Sequence, residues 1–130
     1  MTRIPGLSLH VDDAAVPWVP TATPGVSWLV VAGQPGEGTA RDAAVLIRME
    51  PGRGYPPHRH VGVEEVLVLR GGYRDAFGTF EASSYVRYEA GSTHAPVALG
   101  DAERPAGPDN PACVLYAIAR AGIEIVERGA

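Results

Sequence analysis

The stretch His58-Arg59-His60-Val61-Gly62-Val63-Glu64-Glu65-Val66-Leu67-Val68-Leu69-Arg70-Gly71 decides how this sequence is read. Its second half, Glu64 to Leu69, is a short apolar run closed by Gly71-Gly72, the pattern of a strand ending in a turn. Its first half sets two histidines two positions apart. Residues i and i+2 of an extended chain share a face, so His58 and His60 present two imidazoles side by side, which is half of a metal site. Glu64 has the same parity and continues that face, with Gly62 placed to bend the chain between them. Glu65 has the opposite parity, and a bulge at Gly62 would exchange the two carboxylates.

Outward from this stretch the pattern repeats. Val26–Ala32 reads as a strand bounded by Pro24-Gly25 and Gly33-Gln34-Pro35-Gly36, and Ala44–Met49 as a second, ended by Pro51-Gly52. Tyr73–Asp75 and Thr79–Glu81 flank a turn at Ala76-Phe77-Gly78, and Ser84–Glu89 runs into the turn Ala90-Gly91. Cys113–Ala119 and Ile123–Val126 close the chain, after a polar, proline-rich loop over Asp101–Pro111. Only a weak turn of helix around Asp12–Val16 departs from this. Many short strands at regular spacing, without internal repeats, indicate an all-β sandwich or barrel. His94 follows the strand that ends near Glu89, so a meander of the intervening strands returns it beside His58, His60 and Glu64. Three imidazoles and a carboxylate suit a borderline first-row divalent ion.

The bulk properties fit one domain over 1–130, with an arm at 1–25 and a metal-binding core at 44–96. The chain is 45% hydrophobic and 20% charged, which is globular rather than disordered. Its net charge of −4, with all 11 basic residues being scattered arginines, argues against nucleic acid as a partner. The single Cys113 excludes an intramolecular disulfide and reads as a small buried hydrophobe. No apolar run is long enough to span a membrane and the N-terminus lacks a signal-peptide layout, so a cytoplasmic location is expected. His10 lies far from the cluster and is not counted among the ligands.

The joint spacing carries a resemblance. Gly52, His58, His60, Glu64 and Gly71 match the first cupin motif at every position, and Glu65 with Gly72 fits its longer form. In the second motif Gly91 and the ligand His94 match, whereas Ser83, Glu89 and Ala98 stand where Gly, Pro and Asn are expected. The chain therefore resembles a small single-domain cupin β-barrel of the jelly-roll type. Arg74-Asp75, Gly78, Tyr85, Arg87 and Gly91-Ser92-Thr93-His94-Ala95-Pro96, with Trp18-Val19-Pro20 and Pro24-Gly25-Val26, look like one branch of that superfamily. That branch includes the metal-binding domain of an anti-sigma factor and dioxygenases that cleave acetylacetone or aryl ketones.

The resemblance implies one divalent ion per chain on His58, His60, Glu64 and His94, drawn from Fe, Mn, Ni, Co, Cu or Zn. It implies a small-molecule substrate or ligand and a homodimer, with the Trp18 and Trp28 segments as a candidate dimer arm. The function expected first is a mononuclear metal-dependent oxygenase cleaving a carbon–carbon bond in a small dicarbonyl or hydroxyketone. The alternative is a non-catalytic zinc-binding sensor or small-ligand module.

Overall fold

Short β-branched and aliphatic runs between glycine and proline turns can bury one face only by pairing with one another. The computed structural model describes residues 8–11 and 15–126; these contain strands and no helix. The strands are β1 (Val19–Pro20), β2 (Val26–Gly33), β3 (Ala43–Met49), β4 (His58–His60), β5 (Glu64–Arg70) and β6 (Gly72–Asp75), followed by β7 (Gly78–Glu81), β8 (Tyr85–Tyr88), β9 (Thr93–His94), β10 (Val97–Ala98), β11 (Cys113–Ala119) and β12 (Ile123–Ile125). The longer expected strands appear within a residue or two of their expected ends, and β11 coincides with its expected span. The strands β1, β9 and β10, of two residues each, are too short for any periodicity to announce them. Most of the helical turn expected around 12–16 lies outside the described residues.

An antiparallel six-stranded sheet runs β1-β2-β3-β11-β5-β8, and two three-stranded sheets, β10-β6-β7 and β12-β4-β9, complete a small all-β cupin fold of the jelly-roll kind. Register in the large sheet sets the interior. Ala43, Ala119, Glu64 and Tyr88 lie on one rung across β3, β11, β5 and β8; Val45, Ala117, Val66 and Val86 lie on the second rung along, which faces the same way. Alternate residues point inward, so Val66, Val68, Met49 and Cys113 are buried in the core with Tyr73 and Tyr88. A slip of one residue in β5 would turn Val66 and Val68 outward and lose on the order of 1.5–3 kcal/mol for each. That penalty holds the register, and the register places Glu64 inside.

Trp28 sits in β2, paired with Val19 and Ile47, and lines the interior. Its parity with the buried Val26 explains this, since both belong to the inward face of β2.

Gly71 closes β5 at a point of close approach. Its φ is +64°, and a Cβ there would stand 2.6 Å from the Ala112 carbonyl oxygen, so only glycine fits. Ser83 has a φ of +77° in the turn before β8. It occupies the place where the second motif carries glycine, and keeps the glycine conformation without the glycine.

Candidate metal centre

The histidines are brought together by pairing rather than by sequence. β4 pairs with β9 so that His58 lies opposite His94, while β12 covers the other edge of β4, with Ile123 opposite His60. The parity of β4 then puts His60 on the same inner face as His58. Between β4 and β5 the chain bends at Val61-Gly62, where a Cβ on Gly62 would lie 2.5 Å from the Arg120 carbonyl oxygen. The strand is not continuous through this point. Glu64 faces inward because β5 is registered on β11 and β8, not because it extends β4.

All three imidazoles are buried, and each is tied down through Nδ1. His58 Nδ1 lies 2.9 Å from the Pro56 carbonyl oxygen. His60 Nδ1 lies 3.1 Å from both the carbonyl oxygen and Oγ of Ser92. His94 Nδ1 lies 2.9 Å from Asp75 Oδ2. A carbonyl or carboxylate opposite Nδ1 requires the proton there, which leaves each Nε2 as a lone pair. The Nε2 atoms of His58 and His94 are 3.1 Å apart, His60 Nε2 is buried with no hydrogen-bond partner, and Glu64 Oε2 lies 3.8 Å from it. One ligand atom from each histidine falls within 4.8 Å of the others. Lone pairs converging in a buried space are repulsive unless a cation lies among them, so this donor set fits a metal ion.

The electrostatics agree with that fit. Burial lowers the pKa of His58 to about 4, against the smaller opposing effect of its Pro56 hydrogen bond. Burial, then the neighbouring His94 and His58, lowers that of His60 to about 4. Burial also lowers that of His94. The imidazoles are thus neutral at pH 7, the form that ligates. Burial pushes the Glu64 carboxyl up to about 7. Glu65 faces outward, where it accepts hydrogen bonds from the Tyr85 hydroxyl at 2.6 Å and from Arg120 at 3.2 Å. Tyr85 and Arg87 lie on this exposed face, and His10 is not part of the cluster.

Sequence reasoning missed the residues that orient the cluster. Tyr88 donates to Asp75 Oδ2 at 2.7 Å, so its hydroxyl oxygen accepts from Tyr73, 2.6 Å away. The other carboxylate oxygen, Oδ1, accepts the Phe77 backbone N–H at 2.8 Å. Although burial alone would raise the Asp75 pKa, these hydrogen bonds and the one from His94 hold it below the usual carboxylate range. Tyr88 also stacks on His60, with ring centroids 4.9 Å apart. No ligand-like spacing links Asp75 to His94, so only the fold reveals the pair.

The cluster opens on an interior cavity, which encloses about 90 Å³ in which the centre of a water molecule can move. That is room for a small organic molecule rather than one water. His58, Glu64 and His94 form one part of its wall; Val45, Ile47 and Leu115 are among its apolar lining. Tyr55 stands edge-on to His58, with ring centroids 5.3 Å apart, and also faces the cavity.

Comparison with known proteins places this geometry. The family described as the ChrR cupin-like domain matches residues 8–103. Among solved structures, that of Rhodobacter sphaeroides SigE in complex with the anti-sigma ChrR is similar at 27% identity and a TM-score of 0.63. The match covers 85% of this chain and 50% of the other, so this chain spans half the length of the one it matches. A putative acetylacetone dioxygenase from Methylibium petroleiphilum is similar at 18% identity and a TM-score of 0.68, over 98% of this chain and 85% of that one. An acetylacetone dioxygenase from Acinetobacter johnsonii is similar at 14% identity and a TM-score of 0.67, over 98% and 83%. At these identities the two dioxygenases share the fold. No curated protein sequence matches the chain. No helix among the described residues is long and apolar enough to cross a membrane.

Proposed function

As this chain belongs to the ChrR cupin-like domain family, we propose that it is a mononuclear metal enzyme whose ion is held by His58, His60, Glu64 and His94, one per chain. The reaction proposed is oxygenation that cleaves a carbon–carbon bond in a small dicarbonyl or hydroxyketone. The observation that carries this reading is that His58, Glu64 and His94 line the cavity. A purely structural ion is sealed by its ligands, whereas a reactive one keeps a side open to its substrate. When bound, the ion supplies Lewis acidity and open coordination positions for a ligand with two oxygen donors.

The chain's own residues supply the rest. Asp75, fixed by Tyr88 and by the Phe77 N–H, holds the proton of His94 on Nδ1. The Pro56 and Ser92 oxygens do the same for His58 and His60. Val45, Ile47, Val66 and Leu115 exclude water from the cavity walls, and Tyr55 brings its ring beside His58.

A second reading is favoured by the 27% identity to the anti-sigma complex: a non-catalytic zinc-binding sensor whose cavity takes a small signal molecule. The two are separated by the native metal, identified by elemental analysis, together with oxygen uptake. The enzyme reading expects iron or another redox-active ion and uptake by Fe(II)-loaded protein with a diketone or hydroxyacetophenone. Native zinc with no uptake across the panel overturns it in favour of the sensor.

A further inference from the structure

The inward face of β3 reads Ala43, Val45, Ile47 and Met49, and the same parity carried one step before the strand falls on Arg41. Arg41 indeed lines the cavity, together with Pro35, Gly36 and Gly122, and its exposure to solvent puts it at the rim. Its loop is fixed: Ala40 takes a φ of 53°, and the Arg41 backbone N–H donates to Thr39 Oγ1 at 3.3 Å. The guanidinium itself pairs with no carboxylate among the described residues. The two nearest acids in sequence are engaged elsewhere. Asp42 Oδ1 accepts the Ala121 N–H at 3.0 Å, and Glu37 Oε2 accepts the Ile125 N–H at 2.8 Å.

A cation at the rim of a cavity that is apolar between it and the histidine cluster is a charge without a carboxylate partner among the described residues. Ala43, Ala119 and Glu64 share a rung, so two strand spacings, about 10 Å, separate the β3 column from Glu64. Arg41 stands one inward position beyond Ala43, about one small-molecule length from the histidine cluster. We propose that Arg41 is the anion anchor of this cavity, and that the ligand is a small molecule bearing a carboxylate at one end and oxygen donors at the other. This rests on the dicarbonyl reading above for the metal end only; the anchor at the rim stands on Arg41 and the apolar cavity. A guanidinium takes a carboxylate through two parallel N–H donors, which gives orientation as well as attraction.

The test compares two pairs of probes on the purified protein, followed by calorimetry and by the fluorescence of Trp28, which lines the same cavity. The first pair is 4,6-dioxoheptanoate and its methyl ester; the second is hexanoate and hexanamide, which have no dicarbonyl. Wild type is expected to bind each carboxylate on the order of tenfold more tightly than its neutral partner, with the preference shrinking as salt rises. Arg41→Gln should erase the preference and Arg41→Lys should keep part of it. Arg41 is exposed, so both variants should fold, which circular dichroism checks. Equal affinity for charged and neutral probes in wild type, a preference that survives Arg41→Gln, or no measurable binding of either carboxylate at millimolar concentration overturns the anchor. If hexanoate shows the Arg41-dependent preference and 4,6-dioxoheptanoate gains nothing over it, the dicarbonyl reading fails while the anchor stands.

Discussion

Asp75 Oδ2 accepts two hydrogen bonds, from His94 Nδ1–H and from the Tyr88 hydroxyl, while Oδ1 accepts the Phe77 N–H. Both oxygens are therefore needed as acceptors, and the His94 side chain behind them is only 3% exposed. The carboxylate fixes the His94 tautomer and ring orientation with Nε2 facing the cluster, the usual service of a group behind a metal-ligating histidine.

Asp75→Asn keeps the shape and removes one acceptor. Its amide must then turn –NH2 toward either the Phe77 N–H or the His94–Tyr88 pair, setting donor against donor. Metal affinity is expected to fall by about 10–100-fold, measured by competition with a chelator. Unchanged affinity in a folded variant would remove Asp75 from the site.

The ligand set makes a sharper forecast. His58→Ala, His60→Ala and His94→Ala should each lower bound metal from one ion per chain to near none in elemental analysis. Glu64→Ala should weaken binding, whereas Glu65→Ala should leave the metal in place, because Glu65 is directed at Tyr85 and Arg120 on the outer face. Metal lost from Glu65→Ala and kept in Glu64→Ala would reverse the assignment of the two carboxylates.

Cys113 is fully buried at the start of β11, and burial pushes its thiol pKa up to about 12. The thiolate is the reactive form, so iodoacetamide at pH 8 should label Cys113 only as fast as the protein opens. The folded pKa lies above the unfolded value, so the folded state holds the proton longer. Its contribution to stability is complete below about pH 9 and is lost as the pH rises toward 12. Denaturant midpoints measured across pH 8–11 should fall; for Cys113→Ala the part due to this thiol should vanish. Rapid labelling of the folded protein would contradict the burial argument.

Ser83→Gly should stabilise the protein. At a φ of +77° a serine pays a left-handed backbone cost of about 1–2 kcal/mol, which glycine avoids. Glycine's freer unfolded chain returns roughly 0.4–1 kcal/mol of that. A net gain of about 0.5–1 kcal/mol in urea unfolding is expected, with the turn's Ser83 N–H to Val68 carbonyl bond at 2.8 Å retained. A loss of stability would mean the serine side chain contributes more than its conformation costs.

The all-β class, the main strands and the histidines to be brought together were legible in the chain before folding. Alternation and turn chemistry are local properties, visible in Cys113–Ala119 or Glu64–Arg70 before anything folds. Parity also favoured Glu64 over Glu65, though the chain bends at Val61-Gly62 and the actual cause is the pairing of β5 with β11. What surrounds those groups follows from the packing of the sheets. Asp75 and His94 lie on different strands of different sheets, and Arg41 reaches the cavity rim from a loop before β3. These relations depend on how three sheets close on one another. Closure is settled by the sum of many buried contacts, none of which leaves a period or a spacing in the chain.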